Sequence, residues 1–313
     1  MKYLHVHVGR NKTGSTSLQM FLLKNKENLL KSDFEYSSLD KYNNYNPLFS
    51  QLSNKAIRSS SKKNISKLIT DIKLTLDNNI KLDRNVIISA EALSNVSPTI
   101  FNEIFSNFPI KIIAYVRNEL DYLSSNYQQA IKSQAIGISF SNWLTKNRID
   151  IALNNSFILK LKQMSFKDLQ IRKYSRNALY NSDIRYDFLL NVLGLNNFED
   201  YKFLANSNIS ISSEVIEFKR QLYNKNIDDF EGKNNIHLFT SLSKDYINKF
   251  RIPKSEKNKI LQILNKTQTE WYEEFGFGFN SNEYIDYEFS NNRPQKINFE
   301  SMLKKIKKLK SNS

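Results

Sequence analysis

The segment from Leu4 to Leu22 restricts the fold more than any other part of the chain. Leu4–Val8 (Leu-His-Val-His-Val) reads as a short strand, and it ends in Gly9 and the polar stretch Arg10-Asn11-Lys12-Thr13-Gly14-Ser15-Thr16-Ser17. From Thr16 to Asn25, Leu18, Phe21 and Leu22 recur at helical spacing among polar residues. A glycine-containing turn between a strand and a helix exposes successive backbone N–H groups, and the helix N-terminus adds its dipole. Lys12 adds a full positive charge, and Thr13, Ser15, Thr16 and Ser17 add hydroxyls. The combination predicts a site for a phosphate-like anion.

The rest of the chain supplies a matching frame. Asn85–Ser89 and Ile110–Val116 are apolar runs bounded by polar residues, as expected of strands in a parallel sheet covered on both faces. Between them Ser97-Pro98 opens a helix with Ile100, Ile104, Phe105 and Phe108 as its apolar residues; proline suits a first helical turn. Asn118–Ala135 reads as a helix, Leu169–Arg172 as a short strand, and Ile184–Leu193 as a helix ended by Gly194. From about Asn206 the patterns are mostly helical, with Gly276, Gly278 and Pro294 marking loops. This alternation predicts an α/β fold, a three-layer sandwich with a mainly parallel central sheet flanked by helices, and a helical C-terminal region. No internal repeat is present.

Composition bounds the partners. The 313 residues hold 46 Lys and Arg against 31 Asp and Glu, a net charge of +15. That balance favours an anionic partner without choosing among nucleic acid, acidic glycan, nucleotide or membrane surface. There is no cysteine, which excludes disulfides, thiolate metal sites and a cysteine nucleophile. With three scattered histidines, a transition-metal site is not expected. His5 and His7 share one face of the first strand and read as buried rather than ligating. No apolar stretch of signal-peptide length opens the chain and no window reaches the ~20 residues of a membrane span. A cytoplasmic location is expected.

Gly9 and Gly14 have the spacing of the nucleotide-triphosphate loop G-x-x-x-x-G-K-[ST]. However, Ser15 stands where that loop has lysine, and the lysine lies inside, at Lys12. The stretch His7-Val8-Gly9-Arg10-Asn11-Lys12-Thr13-Gly14-Ser15-Thr16-Ser17-Leu18-Gln19 instead resembles the 5′-phosphosulfate loop of sulfotransferases that use 3′-phosphoadenosine 5′-phosphosulfate (PAPS). The family form is P-K-[ST]-G-[ST]-[ST] before an apolar helix; Asn11 replaces the proline. The resemblance implies donor contacts from Arg10, Asn11, Lys12, Thr13, Gly14, Ser15, Thr16 and Ser17, with Lys12 at the bridging and sulfuryl oxygens.

A second motif falls about 100 residues later. The family holds the 3′-phosphate with an arginine at a strand end and a serine eight residues on. Tyr115-Val116-Arg117-Asn118-Glu119-Leu120-Asp121-Tyr122-Leu123-Ser124-Ser125 places Arg117 and Ser125 at that spacing, with Asn118-Glu119 in place of the frequent Asp-Pro. A guanidinium suits a phosphate through bidentate, charge-assisted hydrogen bonds. A third stretch is similar to bacterial members: Leu169–Tyr174, then Asp183–Leu195, then Asn208-Ile209-Ser210-Ile211-Ser212. In the last of these, a capped loop competes with a border to the donor.

The family's base follows its third strand, as His in many cytosolic enzymes and Glu in several glycan-modifying ones. Here Ile87-Ile88-Ser89-Ala90-Glu91 offers Glu91. A carboxylate favoured by a helix start and a magnesium-binding acid of a kinase compete with that assignment.

The resemblance therefore implies a PAPS-dependent sulfotransferase, in which residues 1–215 form the PAPS-binding core and residues 216–313 a mostly helical region packed on it in the same domain. PAPS is its donor and adenosine 3′,5′-bisphosphate its product, with no metal required, no nucleic acid partner, and a hydroxyl acceptor that the glutamate base inclines towards carbohydrate or glycolipid. Two other readings stand beside it: a small-molecule kinase, and a basic polyanion-binding protein with a degenerate nucleotide site. At the C-terminus, Phe299, Met302, Leu303, Ile306 and Leu309 recur at helical spacing, interleaved with Lys304, Lys305, Lys307, Lys308 and Lys310. The pattern fits a helix docked on the body with a solvated basic face, or a peripheral contact with an anionic membrane.

Overall fold

The structure is a computed structural model that describes residues 1–38, 44–52, 62–133, 137–146, 154–204, 211–225, 227, 235–246, 248–264, 287, 289–290 and 297–311. The chain divides into two compact units. One comprises Met1–Arg117 and Ser156–Ala205, the other Asn118–Asn155 and Asn206–Ser313. The segment after Arg117 thus groups with the C-terminal region.

The first unit holds a five-stranded sheet: β1 (Leu4–His7), β2 (Phe34–Tyr36), β3 (Asn85–Ser89), β4 (Ile110–Val116) and β5 (Asp168–Lys173). Its order is β2-β3-β1-β4-β5 and every pairing is parallel, so the expected α/β class holds. All four β1 residues are buried, including His5 and His7, as a strand covered on both faces requires. β2 is an edge strand of three residues, too short for period-2 patterning to reveal.

Helix α1 (Ser15–Lys24) turns Leu18, Phe21 and Leu22 onto one face of the sheet, against Ile87, Ile113, Tyr115 and Phe188. Its end is fixed by Asn25, whose side chain donates to the Phe21 and Lys202 carbonyls and accepts from the Lys202 amide. Helix Lys62–Asn79 buries Ile69, Ile72 and Leu76, which recur three and four apart in the sequence. Ser97 caps helix Pro98–Ile104 by accepting from the Ile100 amide. Phe101, Ile104 and Phe105 form its buried side, whereas Ile100 and Phe108 are half-buried. Ile184–Asp187 is helical and runs into a π-turn over Phe188–Val192, which Gly194 closes at φ 73°.

Behind β4 and β5 lies a buried ion pair. Asp187 is fully buried and receives Arg172 Nε and Nη2 at 2.7 and 2.9 Å, the Tyr115 hydroxyl at 2.8 Å and Asn191 Nδ2 at 2.7 Å. Burial pushes its carboxyl up, but the Arg172 and Tyr115 hydrogen bonds win and hold it below the ordinary carboxylate value.

The second unit is helical: Glu119–Ser133, Phe140–Lys146, Ser213–Asn224, Ile236–Leu242 and Phe299–Ser311. Tyr127, Phe140, Trp143 and Phe250 cluster, with Tyr127 at 5.3, 5.6 and 5.0 Å from the other three ring centroids. Ser212 is the N-cap of Ser213–Asn224, accepting from the Val215 amide, which favours the capped-loop reading of that residue. In Phe299–Ser311, Met302 and Ile306 are buried and Phe299 packs on Phe218. The five lysines from Lys304 to Lys310 are exposed. The apolar face of this helix is therefore occupied by its own unit. Asn208, Ser210, Gly276, Gly278, Pro294 and Ala135 lie outside the described residues.

Candidate functional site

The loops that follow β1, β3, β4 and β5 all leave the carboxyl edge of the sheet. Ligands of open parallel sheets bind outside that edge, where the strand order reverses. Here β1 lies between β3 and β4, and its loop begins between theirs. Backbone bonds hold the edge: Val8 N donates to Ile113 O at 2.8 Å, Ala90 N to His7 O at 3.1 Å, and Tyr174 N to Val116 O at 2.7 Å.

The first loop folds back on itself. The Thr13 amide and hydroxyl both donate to the Arg10 carbonyl, at 3.3 and 2.6 Å. Thr13 is buried, so its hydroxyl serves loop closure. Lys12 and Gly14 both take left-handed backbone angles, with φ 66° and 78°. Gly14 is the N-cap of α1, and no side chain caps that helix. A residue with a Cβ at Gly14 would carry backbone strain and stand 2.7 Å from the Tyr174 ring. At Gly9 a Cβ would collide with the Ser15 hydroxyl and lie 3.0 Å from Glu91 Cγ. Both glycines are thus required by close approach.

Ser15 is almost wholly buried, and its Oγ has no hydrogen-bond partner. An orphaned hydroxyl in the first turn of an uncapped helix is a donor set lacking its acceptor, and it fits an oxyanion. Asn11 and Thr16 are exposed and Ser17 is half-buried. Arg10 is buried, with its guanidinium over the Phe157 ring at 5.6 Å.

Two further segments converge on this loop. Arg117, at the end of β4, donates from Nη1 to the Lys12 carbonyl at 3.2 Å, and its guanidinium lies 5.9 Å from the Tyr174 ring centroid. Glu91 begins a 3₁₀ turn (Glu91–Asn95) directly after β3. Burial pushes the Glu91 carboxyl above its usual value, while the nearby Ser15 hydroxyl and the Lys12 charge act in the opposite sense. The Ser15 influence is one of proximity, because its Oγ does not meet hydrogen-bond geometry.

The structure therefore brings together Arg10, Lys12, Thr13, Gly14, Ser15, Glu91 and Arg117. Ser125 is half-buried on helix Glu119–Ser133 of the second unit. Sequence reading did not single out Tyr174 as a site residue, although it follows β5 at the same carboxyl edge. It also passed over Lys160, whose Nζ donates to the Ser94 carbonyl at 2.7 Å and whose amine burial pushes down to about 8. Strand-end position was the available signal for Tyr174; no sequence signal marked Lys160. Among the described residues, no group of three or more His, Asp or Glu is placed to hold a metal ion, and no helix is long and apolar enough to cross a membrane.

Fold and loop together define an α/β protein whose first strand-to-helix turn carries the features of an anion cradle. No protein-family model matches the chain, and no curated protein sequence matches it. Among solved structures it is similar to a sulfotransferase from Alicyclobacillus acidocaldarius, over 66% of this chain and 87% of that one, at 14% identity and a TM-score of 0.40. A likeness of that size carries no assignment of activity.

Proposed function

We propose that this protein is a sulfotransferase that moves the sulfuryl group of PAPS to an acceptor hydroxyl. The observation that carries the reading is the loop itself. Lysine lies at its left-handed turn, a second left-handed residue opens an uncapped helix, and the buried Ser15 hydroxyl lacks an acceptor. Glu91 and Arg117 reach the same loop from the neighbouring strands.

In this reading the first-turn amides, with Ser15, Thr16 and Ser17, hold the 5′-phosphate, and Lys12 faces the bridging oxygen. Arg117 takes the 3′-phosphate; Ser125, eight residues on, is the serine that the motif spacing pairs with it. The acceptor oxygen attacks sulfur in line. The new O–S bond forms as the bond from sulfur to the bridging phosphate oxygen breaks. Glu91 takes the hydroxyl proton, and Lys12 offsets the charge that develops on the leaving oxygen. Burial raises the Glu91 carboxyl above its usual value, the direction that strengthens a carboxylate as a base.

A glutamate base inclines the acceptor towards a carbohydrate hydroxyl, on a glycan or glycolipid precursor modified in the cytoplasm. The exposed lysines of Phe299–Ser311 supply a surface that would attract an acidic acceptor or an anionic membrane.

The test is a thermal-shift titration with adenosine 3′,5′-bisphosphate against ATP–Mg²⁺. The expected result is stabilisation by the bisphosphate, saturating in the manner of one-site linkage. Stabilisation by ATP–Mg²⁺ alone would assign the loop to a kinase. A response to neither, with polyanion binding that weakens steeply with salt, would assign the protein to polyanion binding.

A further inference from the structure

Beneath the loop lies a buried polar cluster that the proposed chemistry does not use. His7 and Ser89 stand side by side in register on β1 and β3, and His7 Nδ1 lies 2.7 Å from Ser89 Oγ. From α1, Gln19 Nε2 donates to Ser89 Oγ at 3.1 Å and to the Ser89 carbonyl at 3.4 Å. All three are buried, in a layer otherwise made by Leu18, Phe21, Ile87, Ile113, Tyr115 and Phe188. With Gln19 donating to Ser89 Oγ, the Ser89 proton is available for His7 Nδ1, an arrangement open only to neutral imidazole. His7 Nε2 has no partner, and the imidazole packs at steep angles to the Tyr115 and Phe188 rings, with centroids 6.0 and 6.2 Å away.

Such a cluster is costly. Apolar side chains of the same volume would fill this layer without desolvating an amide and an imidazole. Its location supplies a reason. α1 is the helix whose first turn is the anion cradle, and Ser89 is two residues before Glu91. The segment around Glu91 is short and tied at several points: Ala90 N donates to His7 O, Leu93 N to Ala90 O, Ala92 N to Asn46 Oδ1, and Ser94 Oγ to Glu91 O. Gln19 supplies a side-chain link from the cradle helix to this segment.

We propose that Gln19 is a positioning residue that sets Glu91 against the anion loop, acting through Ser89. The inference rests on the reading of Glu91 as the base, yet it concerns the free protein. Lys12 is the charged group that faces Glu91 from the loop, and Ser15 the hydroxyl that faces it from α1. Both lie on the cradle side of the Gln19 link. Loosening that link lets Glu91 withdraw from the buried pocket, where burial dominates its proton affinity.

The experiment is a ¹³C NMR titration of the Glu91 carboxyl in the full chain, assigned with Glu91→Gln, in the parent protein, Gln19→Met and Ser89→Ala. Methionine replaces the amide with an unbranched apolar side chain of similar volume. In Gln19→Met the Glu91 midpoint is expected to fall by more than about half a pH unit towards the ordinary carboxylate value, with the melting temperature retained. Adenosine 3′,5′-bisphosphate is expected to bind it within about threefold of the parent protein, a difference below ~1 kcal/mol. A midpoint unchanged in Gln19→Met overturns the proposal, since a packing role alone would not move it. Should Gln19→Met fail to fold, Ser89→Ala decides on the same criterion, because it removes the hydroxyl and keeps the backbone carbonyl. Failure of the parent protein to bind the bisphosphate would overturn the sulfotransferase reading and leave the titration to judge Gln19 alone.

Discussion

The guanidinium of Arg117 donates to the backbone carbonyl of Lys12 at 3.2 Å. The two residues are 105 positions apart, and each belongs to a motif that the sequence presents separately. The bond ties the end of β4 to the turn that bears the loop lysine. It also aligns the guanidinium with the loop, since one Nη is committed to that carbonyl.

Arg117 should therefore act on anion binding and on loop geometry together. Arg117→Ala is expected to weaken adenosine 3′,5′-bisphosphate binding roughly 10- to 100-fold, the worth of about 1.5–3 kcal/mol for hydrogen bonds to a charged group. Arg117→Lys should recover little, because an ammonium lacks the planar fork. Isothermal calorimetry measures both; affinity restored by lysine would show that charge alone suffices.

Lys12 and Glu91 should separate kinetically. Lys12→Ala is expected to lower turnover of PAPS by ~10²–10³-fold, the cost of one lost transition-state donor, and to weaken donor binding as well. Glu91→Ala should abolish turnover and keep donor binding. Near-full activity in Glu91→Ala would remove it from the mechanism.

Gly14 should be intolerant for two separable reasons. Gly14→Ala places a Cβ at φ 78°, 2.7 Å from the Tyr174 ring. Left-handed backbone costs an ordinary residue about 1–2 kcal/mol, and overpacking adds ~1–3 kcal/mol. Adding Tyr174→Ala to Gly14→Ala should recover the second part and leave the first. Urea denaturation of the two single variants and the double variant gives the partition.

Two groups, half-buried Glu91 and buried His7, set opposite pH dependences of stability. The Glu91 carboxyl is raised above its usual value. The native state therefore holds this proton in a window where the unfolded chain has released it, and its contribution to stability falls as pH rises through that window. Glu91→Gln should raise the melting temperature at neutral pH. His7 runs the other way, because burial lowers its imidazole from 6.5 to about 4. The unfolded chain binds a proton between those values and the native state does not, so stability is lost as pH falls from 6.5 towards 4. His7→Gln should flatten that acid limb in thermal denaturation.

Asp187 should be the most damaging site away from the loop. Asp187→Ala leaves Arg172 without its bidentate partner and Tyr115 and Asn191 without their acceptor. Breaking one side of a fully buried pair costs about 3–5 kcal/mol; the Arg172 side chain is 27% exposed, so the expected cost lies below that range, read as a fall in the urea midpoint at unchanged slope. Asp187→Asn should recover part of the loss by keeping an acceptor oxygen.

Several element boundaries are legible in the sequence alone. β3 and β4 run over the residues that their apolar patterns mark, and α1 begins within one residue of its expected start. The stripe of helix Lys62–Asn79 is present in the sequence at Ile69, Ile72 and Leu76, whereas β2 is not legible because three residues carry no period. The helix ended by Gly194 is legible as a helix, but its second half is a π-turn over Phe188–Val192, with Phe188 and Leu189 buried.

The sequence by itself determined the parallel α/β class and the position of the glycine-bearing strand-to-helix loop. Those depend on local patterns: apolar runs, helical spacing, and glycines where the backbone must turn left-handed. Tertiary structure alone decided which groups meet there. It committed the Thr13 hydroxyl to Arg10, left Ser15 buried and unpaired, set Tyr174 over Gly14, and ran the His7–Ser89–Gln19 cluster beneath Glu91. These are contacts between segments up to 160 positions apart, fixed by strand order and by the packing of α1 on the sheet. No periodicity along the chain encodes them.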